Sequence, residues 1–406
     1  MAEQIMTKIT NIIKDYYLPP FNDMITTEPS AFLEMIKKAG VPTGGDIIGG
    51  ARYGINGGFG MGNEESATPK AFPQQYKRLK TTAKDMYCDI GISHKTVTLA
   101  QGGAGSIFNA LKDEIEGSYA AAKWNIGRML FGNGTGILGN IASAISSASD
   151  EITLDDVSKV IEGLAIDIYT GTLASSTKLS GGPYRILYVD TDNKKIKIDT
   201  KITTSGAGFI TVQDSFKNEI TGLGAIFDTT NVTTLYGVER TGNEWINPKT
   251  YDAGHDLNSS LLYEVSSEMR DKRKTNIDLY MMGNKAFKAW YEYMESTHYS
   301  VAPTNLKYRS GATGFEIAVG PNTATIINEP FVPSTETWGV QKSAFTFYTT
   351  KWGFANEQTG GAFTLVPGTH NYRGLLAAYG DLMCENPGGC VKITNCDAAA
   401  SGSSGS

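Results

Sequence analysis

The sequence predicts an α+β fold. Three patterns point to it: one long apolar stripe at helical spacing from about residue 106, a block of short alternating runs over residues 164–222, and a C-terminal half in which helices and strands are mixed. The chain has 406 residues, enough for two or three domains at roughly 100–200 residues each. Apolar residues make up 40% and aromatic residues 10%, which supports real cores and excludes global disorder. Charged residues reach only 19%, while Gly stands at 46.

Residues 1–40 read as two short amphipathic helices. Ile5, Ile9, Ile12, Ile13 and Tyr16 recur at helical spacing until Pro19-Pro20 stops them. Thr27 is placed as the N-cap of the second helix, which carries Phe32, Leu33, Met35 and Ile36 and is closed by Lys37-Lys38 and Gly40. With no sequence neighbour to pack on, this stretch reads as an arm. Nine glycines then fall within residues 44–62, and polar sequence continues to about Thr82. Such a segment offers few side chains to a core and is expected to gain order from a partner. Strands are expected at 86–93 and 95–100.

From residue 106 to 131 the positions Ile107, Phe108, Leu111, Ile115, Tyr119, Ala122, Ile126 and Leu130 hold one face, a helix on the order of 35–40 Å long. It ends at Gly132-Asn-Gly134. A second helix is expected from the capping-box-like Thr153-Leu-Asp-Asp156 to about Glu162. The period then becomes two: runs at 164–168, 184–189, 195–199 and 208–212 suggest a small β-barrel, with Asp190-Thr-Asp-Asn193 as a hairpin turn. Helices are expected at 257–270 and 284–295. Strands are expected at 277–282, 324–328, 344–349, 362–366, 372–384 and 391–394. Residues 398–406 read as a flexible tail and take no part in the fold.

Few function classes survive the composition. Lys+Arg 36 against Asp+Glu 42 gives a net charge of −6, which argues against a broad phosphate-gripping face. No stretch has the roughly 20 apolar residues of a membrane span. The first residues lack a secretion signal, and four Cys fit a reduced, intracellular product. Gly134-Thr-Gly-Ile-Leu-Gly139 has the form G-x-G-x-x-G, but a helix precedes it where a dinucleotide site needs a strand. Cys384, Cys390 and Cys396 are too widely spaced for a zinc knuckle, and Cys88 reads as core. His255-Asp256 sits at a helix start, where Asp serves as a cap. Lys194, Lys195, Lys197 and Lys201 form a basic strip that reads as an edge-strand guard. No catalytic, cofactor-binding or metal-binding residue is assigned.

Taken in order, the segments resemble the tailed-bacteriophage major capsid proteins of the Hong Kong 97-type fold. The stretches that carry the resemblance are Ala104 through Gly117 with Asn125 through Gly136, Phe59-Gly-Met-Gly-Asn-Glu64 with Met86 through Ser93, Leu235 through Arg240, and Trp338 through Cys384. The resemblance implies an N-terminal arm (1–45), an extended loop with peripheral strands (46–100), a peripheral domain around a long spine helix (101–162) and an inserted β-barrel (163–222). An axial domain (223–370) and C-terminal peripheral strands (371–396) follow, then the tail (397–406). It also implies hexamers and pentamers of the chain itself in an icosahedral virion shell around double-stranded DNA, with no membrane. Scaffold, portal and decoration proteins are further expected partners, the scaffold as a separate chain. Arm and extended loop would lie on sister subunits, which makes Ile9, Tyr16, Tyr17, Arg52, Tyr53, Phe59, Glu64 and Phe72 the candidate intersubunit contacts. The rival readings are an encapsulin-like compartment shell and, in another class, a surface glycan-binding β-protein.

Overall fold

The computed structural model describes residues 30–63, 70–94, 104–255, 257–296, 314–319, 322–354 and 363–397. Two compact bodies emerge. One takes the chain up to Ile126 and again from Ile226, and the other is Gly127–Ala225.

The first described element is a short helix, α1 (Ala31–Met35), capped by Ser30 rather than Thr27: the Ser30 hydroxyl accepts the Phe32 amide at 3.1 Å. The first expected helix, with Ile9, Tyr16 and Tyr17, lies outside the described residues. The second is shorter than its apolar spacing suggests. Ile36 is extended, and Lys37-Lys38 belong to strand β1 (Lys37–Ala39) instead of a helix end. Tertiary pairing overrides the local pattern, because β1 runs parallel to a strand more than 300 residues away, with Lys37 opposite Thr346. Phe32 and Leu33 are fully buried, Phe32 edge-on to Phe345 at 5.5 Å between ring centroids. The described part of the arm therefore belongs to its own chain's core.

Strands β2 (Asp46–Gly54) and β3 (Gln75–Thr82) form a two-stranded antiparallel hairpin, followed by β4 (Lys84–Ser93). The expected strand at 95–100 lies outside the described residues. The long helix α2 (Ala104–Leu130) has 27 residues, about 40 Å at 1.5 Å per residue. Ile115, Ile126 and Leu130 of its expected stripe are buried.

In the second body, β5 (Ile137–Ile141), β6 (Ser149–Thr153), β7 (Ala165–Gly171), β8 (Ser176–Lys178), β9 (Tyr184–Asp190), β10 (Lys195–Ile202) and β11 (Gly208–Val212) make one seven-stranded sheet. Its path runs β5-β11-β7-β9-β10-β6, with β8 on β7. The turn after β6 reaches β5, where the Asp155 amide donates to the Asn140 carbonyl at 3.0 Å and the Asn140 amide donates to the Asp155 carboxylate at 2.6 Å. The core of this body holds Ile152, Ile166, Ile168, Ile186, Ile196 and Ile210.

Two of its strands, β5 and β6, precede residue 163, so this body starts earlier in the chain than the alternation suggests. No helix forms at 153–162. Thr153 ends β6, and the Asp156 side chain accepts the Ser158 amide at 3.0 Å. Aspartate that bonds its own backbone favours turns over helix, and Leu154, Val157 and Val160 reach the core from those turns. The lysine strip is also no edge guard, since β10 lies between β6 and β9. Lys195 pairs with Glu151 and Lys197 with Asp150, each at 3.5 Å. The turn at Asp190 forms as expected, with its carboxylate accepting the amides of Asp192 and Asn193 at 3.1 and 3.0 Å.

A short helix, α3 (Leu223–Phe227), leads back to the first body and to a small ribbon, β12 (Thr234–Leu235) with β13 (Val238–Glu239). Then come β14 (Lys249–Asp252), α4 (Ser259–Arg273), β15 (Leu279–Met282), α5 (Asn284–Ser296), β16 (Gly314–Val319), β17 (Asn322–Asn328) and β18 (Thr337–Val340). The chain continues through β19 (Phe345–Thr349), β20 (Gly353–Phe354), β21 (Thr364–Leu365), β22 (Asn371–Cys384) and β23 (Val391–Thr394). Helix α4 is capped by Asn258, whose side chain accepts the Leu261 amide at 2.8 Å, not by the His255-Asp256 pair.

One six-stranded sheet has the order β14-β23-β18-β15-β17-β16. Its core takes Leu262, Val265 and Met269 of α4 and Trp290 of α5 against Tyr280, Ile326 and Ile393. The other sheet is built on the long strand β22, which pairs with β19, β20 and β21 and with β4, while β1 extends it beyond β19. Strand 391–394 thus sits in the first of these sheets, and β19, β20 and β21 join β22 in the second. The chain passes from the first sheet to the second near residue 342 and returns to the first at β23.

Candidate assembly surface

The hairpin β2–β3 shows how one element can be fixed at its base and bare at its tip. Side chains alternate across it. Ile47, Gly49, Ala51 and Tyr53 share a face with Leu79, and Asp46, Ile48, Gly50 and Arg52 share the other with Tyr76, Arg78 and Lys80. The first face rests on the body. Ile47 and Leu79 are fully buried. A side chain at Gly49 would put its Cβ 2.7 Å from the Met383 methyl, so the β2 backbone lies directly over β22. The Lys80 amide donates to the Tyr236 carbonyl at 2.8 Å, and the Tyr236 hydroxyl donates to the Leu382 carbonyl at 3.1 Å. Thr81 hydrogen-bonds the buried Asp381 carboxylate. Further out, Tyr53 stacks on Trp245 with centroids 4.9 Å apart and rings 8° from parallel.

The second face is cationic and open. Arg52, Arg78 and Lys80 lie on it with Tyr76 and Ile48, all exposed. On it Lys80 hydrogen-bonds Asp46 at 2.7 Å, and the Arg78 charge also acts on that carboxylate. That hydrogen bond holds the Asp46 carboxyl below the usual carboxylate range.

Beyond Gly54 the tip loses its own core. Ile55 is 89% exposed, Phe59 84% and Met61 94%. Phe72 and Tyr76 are also largely exposed. Large apolar side chains this bare, grouped on one loop, mark an interaction site more than ordinary surface scatter. The loop is partly preshaped. The Gly57 amide donates to the Phe72 carbonyl at 3.3 Å and the Gly58 amide to the Asn56 side chain at 2.8 Å.

Of the candidate contacts read from the sequence, Arg52, Tyr53, Phe59 and Phe72 all fall on this hairpin. Tyr53 differs from expectation, since its ring is partly spent on Trp245 of the same chain. Ile9, Tyr16, Tyr17 and Glu64 lie outside the described residues. Ile55, Met61, Tyr76 and Arg78 were not legible as site residues. Their signal is the pairing of Asp46–Gly54 with Gln75–Thr82, two stretches whose Gly-rich and polar compositions hide a ladder.

A second open surface lies on β4 and β22. Tyr87 and Tyr379 are exposed on the face shared with Asp85 and Asp89, and Asp89 pairs with Arg373 at 2.8 Å. The opposite face of β4 meets α2, where the Cys88 thiol lies 3.4 Å from the Ser118 carbonyl. Burial pushes the Cys88 thiol up to about 11.

No catalytic constellation competes with these surfaces among the described residues. Cys384, Cys390 and Cys396 are buried free thiols, and no group of three or more His, Cys, Asp or Glu is placed to hold a metal ion. Gly134 and Gly136 adopt φ of 81° and 79° in a turn that runs from a helix into a strand, the reverse of a dinucleotide-binding turn.

Among solved structures, the capsid asymmetric unit of cyanophage A-1(L) matches over 91% of this chain and 93% of its own, at 9% identity and a TM-score of 0.54. The capsid of Myoviridae phage XM1 matches 90% of this chain and 91% of its own, at 10% identity and a TM-score of 0.44. The capsid of a native GTA particle matches 92% and 91%, at 8% identity and a TM-score of 0.47. No family model matches the sequence, and no curated protein does. The likeness to the cyanophage chain spans both bodies and gives the fold: an α+β Hong Kong 97-type capsid fold, as the sequence resemblance implies.

Proposed function

We propose that the chain is a major capsid protein, which self-assembles into the icosahedral head of a tailed phage and is a structural component of the virion rather than an enzyme. The observation that carries this reading is the hairpin: a shaft bonded to its own body and a tip with Ile55, Phe59 and Met61 bare. Fully covering those three side chains is worth about 5–9 kcal/mol in all at roughly 1.5–3 each. Freezing a wholly flexible loop of that size would cost more, at about 1–2 kcal/mol per residue. The preformed ladder and the two tip hydrogen bonds reduce that cost, so the tip is suited to docking on a surface that lacks such a cover. A sister subunit supplies one at every position of a closed shell, and weak contacts repeated around rings add up.

Hexamers and pentamers of the chain, enclosing double-stranded DNA without sequence-specific contacts, complete the reading. Scaffold, portal and decoration proteins are partners of the same assembly. The cationic outer face of the hairpin, where Arg52, Arg78 and Lys80 outnumber the single carboxylate of Asp46, favours an anionic seat on the neighbour in a chain of net charge −6. Among the described residues no helix is long and apolar enough to cross a membrane.

Electron microscopy of the purified chain tests this, beside a variant in which residues 55–72 are replaced by a tight turn. Uniform shells, tubes or capsomers from the intact chain, and only dispersed subunits from the variant, are expected. A chain that stays monomeric across salt and concentration overturns the reading. An enzyme cargo in native particles in place of a genome would mark an encapsulin-like compartment.

A further inference from the structure

The sequence holds two Asn-Gly pairs, Asn56-Gly57 and Asn133-Gly134. In such a pair the glycine nitrogen can attack the asparagine side-chain amide, because glycine has no Cβ to obstruct the approach. Both asparagines bend back on the chain in the same way. The Gly58 amide donates to the Asn56 Oδ1 at 2.8 Å, and the Thr135 amide to the Asn133 Oδ1 at 3.1 Å. Each bond lays the side chain along the following peptide and draws electrons from its amide carbon, Cγ.

The surroundings separate the two pairs. Asn133 follows α2 and precedes β5, and the hydroxyl of buried Thr135 bonds its side chain as well. Gly134 is held at φ 81°, and a Cβ there would lie 3.6 Å from the Ile220 carbonyl oxygen and 3.8 Å from that of Glu219. Closing a ring at this pair would have to displace packed backbone. Asn56 and Gly57 are instead exposed beside Ile55, on the part of the hairpin that has no core of its own. The attacking nitrogen there is restrained by the 3.3 Å bond from the Gly57 amide to the carbonyl of exposed Phe72. A bond on an exposed loop opens at little cost in free energy.

We propose that Asn56-Gly57 is a self-modifying site, which converts in dispersed subunits to a mixture of aspartate and isoaspartate at position 56. The Gly57 nitrogen loses its proton and bonds to the Asn56 Cγ. The Cγ–Nδ2 bond breaks, and Nδ2 leaves with that proton as ammonia. Water then opens the resulting succinimide: its oxygen stays in the new carboxylate, one proton returns to the ring nitrogen, and the other converts ammonia to ammonium. Water is the only co-reactant, and nothing is oxidised or reduced. Attack at Cγ gives aspartate, and attack at the main-chain carbonyl gives isoaspartate. Either product puts a carboxylate among Ile55, Phe59 and Met61. Burying that charge without a partner is costly, so a converted subunit docks poorly on its neighbour. This consequence rests on the capsid reading, whereas the conversion does not.

The test incubates the dispersed full chain in ¹⁸O-water at pH 6 and pH 8.5, beside a synthetic peptide of residues 52–60. Peptide mass spectrometry with fragmentation that separates isoaspartate follows both. Position 56 should take up label within about tenfold of the free peptide's rate, and Asn133 should be slower than Asn56 by about tenfold or more. The rate should rise with pH, because the attacking nitrogen must lose its proton. Asn56→Gln should remove the label from position 56. Asn56→Asp, which carries the charge of the product, should keep the wild-type melting temperature and form fewer particles than wild type. No label at position 56 while the peptide converts, conversion of Asn133 as fast as that of Asn56, or a rate indifferent to pH would overturn the proposal. Conversion at position 56 in a chain that never forms particles supports the modification and counts against the capsid reading alone.

Discussion

Glu329 is the sharpest point at which the fold can be tested by pH. It is 3% exposed, directly after β17, and its amide donates to the Met282 carbonyl at 2.9 Å. Its side chain takes hydrogen bonds from the Ser30 hydroxyl and the Phe331 amide, both neutral donors, and burial raises its pKa from 4.5 to about 7. Ser30 in turn caps α1, so the carboxyl ties the described end of the arm to the sheet. A raised carboxyl pKa means the native state binds more protons than the unfolded chain between those two values. Stability from this group is therefore present in acid and lost as pH rises from about 4.5 to about 7. The shift is worth about 3 kcal/mol. Glu329→Gln keeps the shape and removes the charge. Urea unfolding of wild type and variant at pH 5, 6, 7 and 8 should show the variant gaining on wild type by up to about 3 kcal/mol across that window. Asp278, whose carboxyl burial also raises, is present in both chains and cancels from the difference. A wild-type-minus-variant difference that is flat with pH, or that grows in favour of wild type above pH 7, would refute the reasoning.

Three further outcomes follow from single contacts. Arg128 and Glu219, both buried, form a bidentate pair with one N–H donating at 3.0 Å. Glu219→Gln should cost about 3–5 kcal/mol in urea unfolding, and replacing both partners by apolar residues should recover much of it. At Gly388 an added Cβ would lie 1.9 Å from the Trp245 carbonyl oxygen; Gly388→Ala should lose about 3 kcal/mol or more, read as a lower melting temperature and poor soluble yield. Trp245→Ala removes the platform under Tyr53, costing about 0.5–1.5 kcal/mol. Limited proteolysis should then cut faster in the hairpin while the rest of the chain keeps its wild-type pattern.

Periodicity made some elements legible. Helix α2 and strands β9 to β11 follow from periods of 3.6 and two, because burial on one side leaves a direct imprint on sequence. The 153–162 stretch shows the limit. Leu154, Val157 and Val160 have a spacing that suits a helix, yet the carboxylates of Asp155 and Asp156 bond the backbone and select turns. The lysines of β10 show another: alternation marks a strand but not whether the strand is an edge or has Asp150 and Glu151 opposite. The arm was half legible. Its apolar residues were visible, but their partner Phe345 lies on a strand far along the chain, and no local signal connects them. The expectation that residues 1–100 depend as a whole on sister molecules is accordingly too broad. Ser30–Ala39, the hairpin base and β4 fold onto their own chain, and among the described residues of that region the barest apolar side chains gather at the hairpin tip. At the site, Phe59 and Phe72 could be singled out as large apolar residues in a Gly-rich stretch. Tyr76 and Arg78 could not, since only the register of β2 with β3 brings them onto the face of Arg52.

Hydrogen exchange, followed by mass spectrometry on dispersed subunits and on assembled particles, bears most directly on the hairpin. Amides of residues 55–63 and 70–74 should exchange quickly in subunits and become protected in particles, while those around Ile47 and Leu79 stay protected in both. Equal protection of the tip in the two states would contradict an assembly in which one copy's hairpin lies on the next.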